Sequence, residues 1–280
     1  MLNRKFILSF APTGLIPTKE MTPHVPILPD EIVNDVLDVV DLGISMVHIH
    51  ARDPVTGKPT HEKEVYGEII GRLRKKRKDL ILCVSTSGRV FNRFEKRSDC
   101  LNLEGELKPD LGSLTLSSLN FNKQASVNSP QMIQDLARRM LERGIKPELE
   151  AFDLGMINYA RYLIQKGLLQ PPYYFNLILG NIACAQADML HLGLMINELP
   201  EGSIWSVGAV GDYQLKMNSI AIAAGGGVRV GLEDNIWYDA ERTRLATNRD
   251  LVERIVYIAK AMGREPFSPR EARGLLKLKM

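Results

Sequence analysis

Met46-Val47-His48-Ile49-His50-Ala51-Arg52-Asp53 is an apolar run that carries two histidines at alternate positions and ends in charge. Read as a β-strand, it puts Met46, His48 and His50 on one face and Val47, Ile49 and Ala51 on the other, because side chains alternate along a strand. Its polar end marks the C-terminal edge of a strand, which is where parallel α/β folds keep their chemistry. Seven similar runs lie at residues 6–11, 80–86, 111–117, 148–153, 173–179, 204–210 and 227–231. Helical segments separate them. Pro29-Asp30-Glu31 opens one that closes at Gly43, and Ser129-Pro130 opens another that closes at Gly144. Further amphipathic stretches fall at 63–78, 156–166, 184–197, 213–224 and 248–262. Eight strands alternating with helices, with no Pro-, Gly- or Ser-rich linker, predict one (β/α)8 TIM barrel over residues 1–280; an open doubly wound sheet is the rival.

The composition agrees with an ordinary globular domain. Of 280 residues, 36 are Lys or Arg and 33 are Asp or Glu, a net charge of +3, and 45% are hydrophobic. The charges are interleaved, so neither nucleic acid nor an anionic membrane is expected as a partner. The basic run Arg72-Leu73-Arg74-Lys75-Lys76-Arg77-Lys78 ends a helix just before a strand, on the barrel face away from the chemistry. No apolar run approaches the roughly 18 residues of a membrane helix, and the one near the N-terminus is too short for a signal-peptide core. Cys83, Cys100 and Cys184 have no paired spacing, which points to a cytoplasmic setting.

Two imidazoles side by side at a strand end suit a metal ion, although a single such histidine would more simply be a hydrogen-bonded core residue. A third ligand is available in Gly226-Gly227-Val228-Arg229-Val230-Gly231-Leu232-Glu233-Asp234-Asn235, where the last strand empties into adjacent acids. Glu233 completes a His2Glu set; alternatively it caps the following helix. The glycines before it enter a strand and do not open a helix, so close backbone packing is expected in place of a phosphate loop. Only five histidines are present, and His24, His61 and His191 lie away from strand ends, so one ion is expected and not two. Mixed nitrogen and oxygen ligation favours Zn2+, with Mn2+ or Fe2+ possible. Ser85-Thr86-Ser87 and Ser113 through Ser118 bring hydroxyls to the ends of the third and fourth strands, suited to a substrate carboxylate or to turn formation. If Glu148 and Glu150 face inward they need partners, and Arg229 is one candidate.

These segments together resemble the β-keto acid cleavage enzymes over essentially the whole chain. The resemblance is carried by Ala11-Pro12-Thr13-Gly14, Val47 through Asp53, Ser85-Thr86, Ser118-Leu119-Asn120-Phe121, Pro147 through Glu150, Trp205-Ser206-Val207-Gly208 and Arg229 through Asn235. It implies a zinc-dependent acyltransferase with acetyl-CoA as co-substrate, which converts a β-keto acid to acetoacetate and a new acyl-CoA, on a subunit of a homotetramer. It further implies His48, His50 and Glu233 as metal ligands, Asp234 as base with Arg229 beside it, and Ser85, Thr86 and Ser113 around the substrate. Ile16 stands where the aminohexanoate-cleaving members carry an acid, so an apolar or uncharged substrate tail is expected. The segments 180–185 and 211–214 depart from the family form, and CoA contacts are left unassigned. Two other readings of the same residues are an aldolase or lyase that works without CoA, and a non-catalytic metal-stabilised binding barrel.

Overall fold

The run that holds the histidines is a strand flanked by parallel neighbours on both sides. The computed structural model describes residues 4–279, so residues 1–3 and 280 of the expected domain lie outside the described residues. Its barrel strands are β1 (Leu8–Phe10), β2 (Met46–Ile49), β3 (Ile81–Val84), β4 (Leu111–Thr115), β5 (Lys146–Ala151), β6 (Tyr173–Leu179), β7 (Ser203–Ala209) and β8 (Gly227–Val230). Each pairs in parallel with the next, and β8 pairs with β1, so the sheet closes as a TIM barrel and the open alternative falls. All eight strands lie within or beside the runs read from the sequence.

The helices follow the capping residues. In α1 (Pro29–Val39), the Glu31 carboxylate accepts the free amides of Ile27 and Leu28, and Ile32, Val33, Val36 and Val39 turn to the core. In α3 (Pro130–Arg143), which follows α2 (Lys63–Lys76), the Ser129 hydroxyl accepts from Met132 and left-handed Gly144 ends the helix. The others are α4 (Leu154–Gln165), α5 (Met189–Asn197), α6 (Tyr213–Ala223), α7 (Asn248–Ala261) and α8 (Pro269–Leu276).

Three features differ from the sequence expectation. The stretch 184–197 becomes helical only at Met189, because Asp188 is the better N-cap and accepts from the His191 amide at 2.8 Å, while the amides of Gly180 and Ala185 are spent in a loop. Between β3 and β4, where the sequence offered no helical stretch, lie three short helical turns, Phe94–Arg97, Asp99–Asn102 and Gly105–Leu107. Helix α8, which the strand-helix alternation did not include, closes the bottom of the barrel. There its Ala272 and Leu276 meet the inward residues Ile7, Met46, Ile81, Leu111 and Tyr174. Burying a side chain such as Leu276 contributes about 1.5–3 kcal/mol. The expected close packing of the glycines holds: Gly226 lies against the Trp205 ring and Gly227 against Ser206 and the Ile7 carbonyl.

Candidate metal centre and active-site cleft

With the bottom plugged by apolar side chains, the inward positions near the strand C-termini are free to be polar. His48 and His50 project inward from β2 and its end, Glu148 and Glu150 from β5, and Arg229 from β8. The two imidazole Nε2 atoms face each other at 3.2 Å, and Glu233 Oε1 lies 3.0 Å from His50 Nε2. One ligand atom from each of His48, His50 and Glu233 thus falls within 4.8 Å of the others. His48 Nδ1 donates to the Glu148 carboxylate at 2.6 Å, which fixes the tautomer and leaves the Nε2 lone pair directed at the common point. Two nitrogens and a carboxylate oxygen so arranged form a donor set that fits a single divalent ion with an open position. Glu233 Oε2 is buried without a hydrogen-bond partner, which fits further ligation. A second set, His48, Cys83 and Glu148, also meets within ligand distance, but it would remove the carboxylate that orients His48.

The electrostatics agree. Burial opposes the charge on Glu233, yet Arg229, His50 and His48 outweigh it and hold this carboxyl well below its usual range. Burial pushes His50 down, which keeps it a neutral ligand. For His48 burial is outweighed by the Glu148 carboxylate, which raises its pKa. Asp234 is raised by burial and by Glu233 against the pull of Arg229. Arg229 spans both acids, with Nη2 at 2.6 Å from Glu233 and Nε at 2.8 Å from Asp234. Glu150, raised by burial, is 3.8 Å from Arg229 Nη1 and accepts from the Thr115 hydroxyl at 2.7 Å. Of the two inward glutamates, then, Glu150 lies beside Arg229, whereas the partner of Glu148 is His48.

A cleft of about 720 Å³ opens over this cluster and is lined by His50, Ser85, Glu150, Arg229, Glu233 and Asp234 among others. Ile16 also lines it and is 47% exposed. Ser85 faces the cleft; its oxygen accepts the Ser87 amide and its own hydrogen remains to donate. Thr86 lines a small adjoining pocket with His50 and Ser85, and Ser113 is hydrogen-bonded to it. The Ser113 hydroxyl oxygen accepts the Thr86 amide at 3.1 Å, and Thr86 Oγ1 donates to the Ser113 carbonyl, so this pair clasps β4 to the end of β3 and lies outside the cleft lining. Thr115, two residues beyond Ser113 on the same face, lines the cleft in its place.

Two supports could not be read as such from the sequence. Gly14, at φ +67°, presses on Glu233 so closely that a Cβ would lie 2.6 Å from its Cγ. Buried Arg52 holds that loop by donating to the carbonyls of Gly14 and Pro17 at 2.9 Å each, and to Gly57 at 3.2 Å. Both residues belong to recognisable motifs, but their roles depend on long-range contacts that no local pattern encodes.

Comparison with known proteins places this geometry in context. The model for the beta-keto acid cleavage enzyme family matches residues 5–278. The 3-keto-5-aminohexanoate cleavage enzyme of Fusobacterium nucleatum subsp. nucleatum is 38% identical over 280 residues, 99% of this chain and 100% of that protein. The 3-dehydrocarnitine:acetyl-CoA trimethylamine transferase of Rhizobium meliloti is 32% identical, covering 99% of this chain and 98% of its own. The apo structure of ObcA superposes with a TM-score of 0.78 at 19% identity, over 92% of this chain and 66% of that one, which is a likeness of fold.

Proposed function

The chain belongs to the beta-keto acid cleavage enzyme family, and from that premise we propose that it is a β-keto acid:acetyl-CoA acyltransferase dependent on one divalent ion held by His48, His50 and Glu233. The observation that carries the reading is the convergence of those three side chains beneath a cleft that also presents Asp234, Arg229 and Ser85. A bound Zn2+, or Mn2+ or Fe2+, supplies Lewis acidity toward the oxygens of a β-keto acid.

The residues do the rest. Asp234 removes a proton from the carbon between the keto and carboxylate groups; its raised pKa makes it a stronger base than an exposed aspartate. Arg229 holds Asp234 through Nε and keeps Glu233 ionised at the same time. The carbanion attacks the acetyl-CoA carbonyl, forming a carbon–carbon bond and releasing the CoA thiolate. The thiolate then adds to the former keto carbon, cleavage of the original bond releases the new acyl-CoA and a carbanion, and that carbon takes back the proton held by Asp234 to give acetoacetate. Ser85 donates to the substrate carboxylate. Ile16, at the cleft wall, sets an apolar or uncharged tail, since an ammonium there would lose its hydration without gaining an anion.

The protein assembles as a homo-oligomer, in this reading a homotetramer: exposed Met189, Leu190 and Leu194 of α5, with Ile182 nearby in sequence, offer apolar surface for a second subunit. No described helix is long and apolar enough to cross a membrane, and the unpaired Cys83, Cys100 and Cys184 fit a cytoplasmic setting.

The test is a panel of β-keto acids incubated with and without acetyl-CoA. Acetoacetate formed only when acetyl-CoA is present supports the transferase; cleavage at equal rate without it would identify a lyase, and no cleavage of any member would leave a binding barrel.

A further inference from the structure

We propose that Arg89 is a specificity-determining residue that receives a carboxylate of the acid substrate, an assignment that rests on the cleft being the substrate site of the proposed transferase. Arg89 lies on the loop after β3, four residues beyond Ser85, and both line the cleft. Its guanidinium carbon sits 3.2 Å from the centroid of the Phe121 ring, which is itself packed edge-on against Phe152 at 6.0 Å. Stacking covers one face of the fork and restrains its plane, while the N–H edges stay open. Among the described residues no hydrogen-bond acceptor or ion-pair partner meets that guanidinium. The other cation facing the centre, Arg229, is already engaged by Glu233 and Asp234.

An acid entering this cleft passes Glu150, Glu233 and Asp234, all facing the same space. A further carboxylate there needs a cation that is not already engaged; of the others lining the cleft Arg242 is paired with Asp212 and Lys123 is exposed, which leaves Arg89 as the part-buried candidate. The Ser113 hydroxyl, expected to help with this anion, has its oxygen tied to the Thr86 amide and does not reach the cleft, which leaves the role open for another donor. The depth of Arg89 argues against the CoA phosphates as its ligand. Its main charge neighbours are Glu233, Asp234 and Glu150 at the reacting centre, whereas the phosphates of CoA lie a full pantetheine arm from the thioester. A planar guanidinium held by an aromatic ring matches a carboxylate through two parallel hydrogen bonds. With an uncharged tail beside Ile16, that carboxylate is the reacting end of the β-keto acid.

Titration calorimetry with the metal-loaded protein, without acetyl-CoA, tests this using 3-oxohexanoate and 3-oxoadipate as probes. Arg89→Met should weaken binding about 10- to 100-fold, the range for losing a charge-assisted pair, and Arg89→Lys should recover part of it. Loss for both acids is the expected result, whereas loss for 3-oxoadipate alone would move Arg89 to the far carboxylate and overturn the uncharged tail assigned to Ile16. Binding of both acids within twofold of wild type in Arg89→Met overturns the proposal. Wild-type protein that binds these acids yet forms acetoacetate from no member of the β-keto acid panel would refute the transferase reading, while an Arg89→Met loss would still stand.

Discussion

The barrel buries an arginine among acids at each end, and the two ends treat it differently. At the bottom, Arg273 of α8 donates to both oxygens of Asp110 at 2.8 and 2.9 Å, and to the carbonyls of Asp79, Leu80 and Lys279; Arg74 adds a further bond to Asp110. Every N–H-bearing nitrogen of that guanidinium has an acceptor. At the mouth, Arg229 holds Glu233 and Asp234, yet its Nη1 has no hydrogen-bond acceptor, and Glu233 Oε2 and His50 Nδ1 are also buried without partners. Other buried polar atoms without partners, such as Ser9 Oγ and Arg143 Nε, are scattered singly, whereas these three belong to residues in direct contact. Leaving such groups unmet in a low-dielectric interior costs free energy that a bound ion or substrate would offset. The bottom is built to hold the barrel shut and the mouth to bind and react.

That contrast breaks most sharply at His50. Replacing it with alanine takes a ligand from the His48–His50–Glu233 set and leaves His48, Cys83 and Glu148 intact. His50→Ala should lose bound metal by elemental analysis and lower kcat/KM by about 1000-fold or more, with the unfolding midpoint little changed once both proteins are stripped of metal. Next in size is Asp234→Asn. It keeps all three ligands, so metal content should match wild type while kcat falls about 100- to 10 000-fold, the usual worth of a general base. Full activity in this variant would remove Asp234 from the role.

The reverse experiment addresses the bottom. Arg273→Ala strands Asp110 with fewer partners and should cost about 3–5 kcal/mol in urea unfolding, with KM for both substrates unchanged at a temperature where the variant is folded. A loss of metal without a loss of stability would erase the distinction between the two ends.

The smallest effect concerns the support behind the mouth. Asn248 accepts the Leu232 amide and donates to the Pro12 carbonyl and to Asp35 Oδ2, tying the loops after β8 and β1 to α1. Burial raises Asp35 from 3.8 to about 7. Because the folded form binds this proton more tightly than the unfolded chain, the stabilisation is complete below about pH 3.8 and is lost as pH rises through about 7. Asp35→Asn should therefore gain roughly 1–3 kcal/mol over wild type at pH 8, allowing for partial exposure, and show little gain at pH 4. Equal gains at both pH values would show that Asp35 does not titrate in this way.

How much of this was legible in the sequence follows from the range of the interactions. Strand alternation is local, so Met46-Val47-His48-Ile49-His50 disclosed both the strand and the shared face of its histidines. The apolar-to-acidic switch after Val230 likewise disclosed Glu233 and Asp234. Helix starts were legible where one side chain caps, as at Ser129, and misplaced where two signals competed, as between Cys184 and Asp188. Pairing across the barrel was not legible: Glu148 was visible as an inward acid, but its choice of His48 depends on closure. The same holds for Ser113, whose hydroxyl is claimed by a neighbouring strand end, for Arg52, which serves a loop 35 residues away, and for Arg89, which needs the ring of Phe121. The bottom of the barrel was the least legible part, because α8 follows the last strand-helix pair and its docking is a matter of shape and of the Arg273–Asp110 contact.

X-ray absorption at the zinc edge of the purified protein tests the metal assignment most directly. Ligation by His48, His50 and Glu233 should give a first shell of nitrogen and oxygen at about 2.0–2.2 Å with no sulfur, and the signal should disappear in His50→Ala. A zinc–sulfur distance near 2.3 Å, retained in that variant, would place the ion on Cys83 and contradict the account.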